Sequence, residues 1–177
     1  MISDLNNRKR LAYIGIALLA VAACVFIIYD LNGGSLDLSG REIRIIVTDS
    51  MDGEPTEYPL STIEKDSLVM VRTFSDDETK AKLSVGDVIQ FRYNGVLNHH
   101  RVISNDQASG LIIAKGDNSP VSDHVLYQDI TGQVVGKSHI LGMAVSFIKS
   151  NWLIIILAIV VITSGFSLVR ELRRPSE

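Results

Sequence analysis

The sequence of 177 residues has little cysteine, tryptophan or proline: one Cys, one Trp and four Pro. With Cys24 alone, no disulfide can form within the chain, so an exported domain would be stabilised only by its core. The chain also lacks a GxSxG sequence and helices between its strand segments, which disfavours an α/β-hydrolase. It contains no long amphipathic helix, no internal repeat and no low-complexity segment.

Charge is absent from two long apolar segments, residues 11–29 and 152–169. A bilayer core of about 30 Å is crossed by about 20 apolar helical residues, so both segments are predicted to span a membrane. Basic residues flank both spans on their outer sides, namely Arg8, Lys9, Arg10, Arg170, Arg173 and Arg174. Because basic flanks stay in the cytoplasm, residues 1–10 and 170–177 are predicted to be cytoplasmic tails and 30–151 an extracytoplasmic domain.

A cleaved signal peptide is the competing interpretation of the N-terminus. The sequence "LAVAAC" resembles a lipid-attachment site at Cys24, but "VFIIY" continues the apolar segment beyond it. The apolar part of a signal peptide is usually 7–15 residues long, which favours an uncleaved anchor.

The acidic balance of the chain belongs to the predicted exported domain. Residues 30–151 contain 17 acidic residues and 11 Lys or Arg, a net charge of −6. This argues against nucleic-acid binding, which requires a basic surface.

The pattern of the same region is mainly β. Short segments rich in Val, Ile and aromatics predict strands at 41–48, 67–74, 87–93, 100–103, 110–115 and 130–137. In 87–93, Ile89, Phe91 and Tyr93 are expected on one face, with Gln90 and Arg92 on the other. Asn94-Gly95 predicts a tight hairpin, because both residues accept positive φ. Residues 33–35 are predicted to be a linker, and 75–84 a solvated loop.

Ser50 follows the first of these strands and is a candidate nucleophile if a base and an orienting acid lie near it. The domain contains four histidines, His99, His100, His124 and His139. Asp117 and Asp123 are the candidate acids, since a carboxylate fixes the imidazole tautomer. His99 and His100 should point to opposite faces of a strand. Residue types alone do not choose among these candidates.

Four motifs occur in order: "DSM" after a strand, "GDVIQF", "HRVI" and "KGDN…D…LY". Together they cover residues 45–136, and in this order they resemble the type I signal peptidases, most closely the archaeal and endoplasmic-reticulum branch. The bacterial branch has a lysine base where this sequence has His100. The resemblance implies a signal-peptidase-like β fold, with Ser50 as nucleophile, His100 as general base and Asp123 as orienting acid.

The same resemblance makes Asp117 a supporting acid and leaves His99 without a catalytic role. It implies no cofactor or metal, and it implies signal peptides of exported preproteins and membrane lipid as partners. The backbone N–H of Ser50 and the hydroxyl of Thr48 are the expected oxyanion donors. The sequence departs from the family's usual Ser-Met-x-Pro by the insertion of Asp52-Gly53, which puts the substrate pocket in question.

Two other functions stay open. A metallohydrolase could use His99, His100, Asp123 and His124, although adjacent strand residues do not easily converge on one ion and no HExxH is present. A membrane-anchored adapter without enzymatic activity could instead bind partners through the edge of its sheet.

Overall fold

The computed structural model describes residue 15 and residues 35–172, and an antiparallel sheet of eight strands dominates the described part. The strands are β1 (Ser35–Asp37), β2 (Arg41–Ile45), β3 (Leu68–Thr73), β4 (Val88–Tyr93), β5 (Val96–Asp106), β6 (Leu111–Lys115), β7 (Ser122–Leu126) and β8 (Ile130–Ser138). Their spatial order is β1-β2-β3-β8-β4-β5-β6-β7. The mainly β prediction is therefore confirmed. Apart from Gly15, which is helical, the predicted span 11–29 lies outside the described residues. The same holds for Cys24 and for the basic residues Arg8, Lys9 and Arg10.

The sheet is strongly curved. Gln90 of β4 donates a hydrogen bond of 2.9 Å to Glu42 of β2, although β3 and β8 lie between these strands. In a flat sheet three strand spacings would separate them by about 14 Å. Three irregularities in strand pairing, one of them between Met70 and Val71, accompany this curvature, because bulges bend and twist strands.

Two apolar clusters form the core on opposite faces of β4. Val88 belongs to one cluster and the next residue, Ile89, to the other. Neighbouring strand residues point to opposite faces, so β4 is covered on both sides. The expected alternation of Ile89 and Phe91 against Gln90 is confirmed, but both faces are covered here: Gln90 is buried, whereas Tyr93 is 55% exposed.

The hairpin prediction is confirmed. Asn94 and Gly95 have φ values of 51° and 77°, and Tyr93 pairs with Val96 across the turn. Positive φ at both central residues is the geometry that twists two antiparallel strands correctly. The strand predicted at 100–103 is longer than expected, since β5 begins directly after this turn.

Two predictions about loops are wrong. Within the segment expected to be a solvated loop, Asp77–Ala81 forms a helix, α1, whose N-cap Asp76 accepts a hydrogen bond of 2.7 Å from the amide of Thr79. Lys80 in this helix is buried, with its ammonium 3.1 Å from Asp77. Ser35, expected in a linker, is buried in β1.

A long apolar helix, α2 (His139–Leu172), follows β8 without a break. It begins upstream of the predicted span 152–169. Its segment from His139 to Gly165 is long and apolar enough to cross a membrane, and none of the most apolar window is buried against the rest of the protein. Large apolar side chains such as Leu153 and Leu157 are more than 60% exposed.

Candidate active site

Ser50 lies in a loop that is closed at its base by main-chain hydrogen bonds. The amide of Ile46 donates to Ser67 at 2.9 Å, and the amide of Asp66 donates to Ile46 at 2.8 Å. Met51, next to Ser50, is fully buried, and its carbonyl accepts a 2.8 Å hydrogen bond from the amide of Ile63. The apolar anchor after Ser50 therefore fixes the backbone at the candidate nucleophile.

Thr48 lies beside Ser50, with 3.3 Å between the two side-chain oxygens. The strand predicted at 41–48 ends earlier, at Ile45, so Thr48 and Ser50 both lie in the loop. Their proximity comes from the loop conformation instead of strand alternation.

His100 and Asp123 form a close pair. Nδ1 of His100 lies 2.5 Å from Oδ2 of Asp123, and both side chains are largely shielded from solvent. Asp123 is the second residue of β7, where the chain re-enters the sheet, and β6 separates β7 from β5. The carboxylate reaches the imidazole across one intervening strand.

Gly116, which directly follows β6, lies between the main chain of Ser50 and the ring of His100. A Cβ atom at Gly116 would lie 2.5 Å from the carbonyl oxygen of Ser50 and 3.1 Å from Nε2 of His100. These two atoms are therefore at most 5.6 Å apart, the sum of the two distances. The amide of Asn118 also donates a 2.9 Å hydrogen bond to the Ser50 carbonyl. Among the described residues, no hydrogen bond joins Oγ of Ser50 to His100.

Asp117 binds Arg101 instead of a histidine. Nε and Nη2 of Arg101 donate to the two carboxylate oxygens of Asp117 at 2.8 and 2.6 Å. The guanidinium of Arg101, 3% exposed, also donates to the carbonyls of Leu60 and Gly86, at 2.7 and 2.8 Å. It thus ties the loop of Ser50 to the turn of Asp117.

Arg101 is the residue that the sequence interpretation missed. Its signal was an arginine in an otherwise apolar strand segment, "HRVI", where a charge is buried only if it is paired.

The inserted Asp52-Gly53 packs against the same turn. The amide of Asp52 donates a 3.0 Å hydrogen bond to Asp49, and a Cβ at Gly53 would lie 2.7 Å from the carbonyl carbon and oxygen of Asp117. The insertion thus extends the loop of Ser50 onto the turn that also contains Gly116.

His99 points to the opposite face from His100 and binds Gln90, with 2.9 Å between Nε2 and the amide oxygen. Burial lowers the pKa of His99 to about 4, and the charge of Arg44 lowers it further in the same direction. Burial alone would raise the pKa of Glu42, but hydrogen bonds from Arg44 and Gln90 outweigh it and lower that pKa. His99 is therefore neutral near pH 7 and part of a buried polar chain.

A groove of about 540 Å³ opens beside Ser50. One wall is the end of β2 and the loop after it, the second is the start of β5, and the third is α2. The lining residues are Arg44, Ile45, Ile46, Val47, Thr48, Ser50, Met51, Asp66, Leu97, Asn98, His99, Ser146, Lys149 and Ser150.

Of the four histidines of the sheet and α2, only His99 lines this groove, and His100, His124 and His139 do not. His124 is exposed on β7, and Nδ1 of His139 is 3.2 Å from Oγ of Ser67. Within residues 35–172, no three His, Cys, Asp or Glu side chains are grouped so that they could hold a metal ion.

Comparison with protein-family models, with curated proteins and with solved structures found no match.

Proposed function

We propose that this protein is a membrane-anchored serine endopeptidase that removes signal peptides from exported preproteins. The observation that carries the proposal is the His100–Asp123 pair, whose Nε2 faces the main chain of Ser50 across Gly116. A base held by a carboxylate beside a serine on an ordered loop is the arrangement that activates a hydroxyl as a nucleophile.

In the proposed reaction, Oγ of Ser50 attacks the scissile carbonyl carbon as Nε2 of His100 takes its proton. Asp123 holds the other ring nitrogen and stabilises the imidazolium. The C–N bond then breaks, and His100 returns the proton to the leaving amine. Water hydrolyses the acyl-enzyme with His100 again as base. The bond from Oγ to His100 forms as substrate binds, since catalytic hydrogen bonds are often long beforehand.

The developing oxyanion would be stabilised by the backbone N–H of Ser50 and the hydroxyl of Thr48. The 3.3 Å between Thr48 Oγ1 and Ser50 Oγ supports this role, because the donor must lie close to the attacked carbonyl. Removal of one such donor typically lowers the rate by about 10²–10³-fold.

The groove suits an extended peptide. β6 pairs with β5 only from Arg101 onward, so Leu97, Asn98 and His99, which line the groove, precede the paired part of that edge. A cleavage site can add to such an edge through main-chain hydrogen bonds, with alternate side chains entering the groove.

The membrane topology is part of the proposal. The span within α2 and the predicted span 11–29 would place both tails in the cytoplasm and the sheet outside, in accordance with the basic flanks. The exposed apolar surface of α2 supports its insertion into lipid. Enzyme and substrate would then be confined to one membrane surface.

The test is cleavage of a model preprotein in membranes by the wild type and by Ser50→Ala. Ser50→Ala should lower cleavage by at least about 10³-fold without loss of folding, because it removes the nucleophile. Equal cleavage by both proteins would refute the assignment of Ser50.

The β5 edge before Arg101, which no described strand pairs with on the β6 side, would also serve a membrane-anchored adapter without enzymatic activity. The same assay separates the two functions. An adapter would bind the preprotein equally well before and after Ser50→Ala, and neither protein would cleave it.

A further inference from the structure

The first turns of α2 are packed directly on the sheet at Gly142. A Cβ atom at this position would overlap the carbonyl oxygen of Asp66 and the amide nitrogen of Leu68, and would lie 2.6 Å from the carbonyl carbon of Ser67. Only glycine permits this approach of the helix to the backbone of the turn 66–68.

Two side-chain contacts flank Gly142 along the helix. Nδ1 of His139 is 3.2 Å from Oγ of Ser67, and Oγ of Ser146 donates a 3.2 Å hydrogen bond to Asp66. Residues three and four positions from Gly142 lie on the same helix face. The helix is thus fixed to the turn at three successive points.

The same turn closes the loop that contains Ser50. Asp66 and Ser67 each form a main-chain hydrogen bond with Ile46, at 2.8 and 2.9 Å. A displacement of α2 relative to this turn therefore displaces α2 relative to Ser50.

Further along, α2 forms one wall of the groove. Ser146, Lys149 and Ser150 line it together with Ser50. Trp152, which is 47% exposed, follows Ser150 by two residues, or about 3 Å along the axis. Tryptophan and lysine are typical of the membrane–water interface. The groove and this interfacial segment therefore lie at nearly the same level along the axis of α2.

We propose that the contact of Gly142 with the turn 66–68 holds the groove of Ser50 at the level of the membrane surface. Gly142 is then a positioning residue, which restricts cleavage to peptide bonds that emerge within about one helical turn of the membrane. The expected effect on cleavage rests on the proposed peptidase function. The expected position of the groove relative to the membrane rests on the geometry alone.

The first experiment compares the full chain in liposomes with Gly142→Ala. The control is Gly136→Ala in β8, where an added Cβ meets nothing within 4 Å. Alanine is a better helix former than glycine, so a loss at position 142 cannot come from helix propensity. Melting temperatures of all three proteins check that they fold.

Each protein is given a membrane-inserted preprotein and a short water-soluble peptide with the same cleavage sequence. For Gly142→Ala we expect kcat/KM on the preprotein to fall about 10-fold or more, with less than a 2-fold change on the peptide. Gly136→Ala should change neither. An equal loss on both substrates, or no loss, would overturn the inference.

The second experiment measures the position of the groove relative to the membrane surface and needs no enzymatic activity. Cys24→Ser removes the native thiol, and Val47→Cys, at a position 73% exposed and in the groove wall, accepts a fluorophore. Spin-labelled lipid headgroups should quench this label, and addition of Gly142→Ala should change the quenching. If headgroup quenchers have no effect, or if Gly142→Ala leaves quenching unchanged, the inference fails even where Ser50 proves catalytic.

Discussion

Oδ2 of Asp123 lies 2.5 Å from Nδ1 of His100, although the two residues belong to strands that do not pair with each other. Asp117, only six positions before Asp123, has both carboxylate oxygens bound to Arg101 on the other face of the same strand. The two acids of one turn-and-strand segment therefore have different partners, His100 for Asp123 and Arg101 for Asp117.

The two acids should respond differently to the change from Asp to Asn. Asp123→Asn should fold and lose about 10⁴-fold in kcat, because an amide at this position favours the wrong His100 tautomer. Asp117→Asn should lose about 3 kcal/mol or more of unfolding free energy, because it leaves the buried guanidinium of Arg101 without a countercharge. Cleavage rates and urea unfolding of both variants decide the matter. A fully active Asp123→Asn beside an inactive but stable Asp117→Asn would reverse the assignment.

The two neighbouring histidines should also separate. His100→Ala should abolish cleavage of a preprotein, because it removes the proposed base. His99→Ala should retain most of it while losing about 1–2 kcal/mol of stability, because the hydrogen bond to buried Gln90 is lost. Equal losses of activity in the two variants would show that the opposite faces of β5 are not functionally distinct.

Stability should fall between pH 6.5 and pH 4 because of His99. Its pKa is lowered to about 4 in the folded protein, so in this range the unfolded chain binds more protons. The contribution is fully present above pH 6.5, is lost as the pH falls and is constant below about 4. At 1.36 kcal/mol per pKa unit it amounts to about 3 kcal/mol. Urea unfolding over this range measures it.

His99→Gln is the matched control for this pH dependence. It keeps a polar side chain beside Gln90 but has no group that titrates. Its unfolding free energy should therefore vary less than that of the wild type between pH 6.5 and 4. If the unfolding free energies of the two proteins changed equally with pH, the assignment to His99 would be contradicted.

Gly116→Ala should inactivate the protein with little effect on its sheet. The added methyl would meet the carbonyl oxygen of Ser50 at 2.5 Å and Nε2 of His100 at 3.1 Å, so the nucleophile and the base must move apart. We expect kcat to fall about 100-fold, since misplacement by about 1 Å can cost that much. Far-ultraviolet circular dichroism and Gly136→Ala serve as controls. Normal turnover by Gly116→Ala would show that this close approach has no catalytic consequence.

Protease protection in sealed vesicles tests the proposed topology. Protease added on the extracytoplasmic side should digest the sheet and spare the tail after α2, because the basic flank is predicted to stay inside. Epitopes at the two ends report the fragments. Digestion of the C-terminal tail from the side on which the sheet lies would refute the two-span topology.

The sequence by itself determined the mainly β character, the positions of most strands and the hairpin at Asn94-Gly95. These features depend on contacts between near neighbours: alternating side chains, and turn residues that accept positive φ. The long apolar segment within α2 was equally readable, because its composition identifies it. The start of the helix at His139 was not, since β8 ends at Ser138 and the helix begins at the next residue, with the Ser138 hydroxyl accepting a 3.3 Å hydrogen bond from the amide of Leu141.

Only the tertiary structure decided which candidates meet. His100 meets Asp123 across the intervening strand β6, while Arg101 meets Asp117 on the other face. The helix Asp77–Ala81 and the strand with Asp123 are short, so their local preference is weak and packing determines them. Sheet curvature and strand order bring together residues that are distant in the chain, and local periodicity does not encode either.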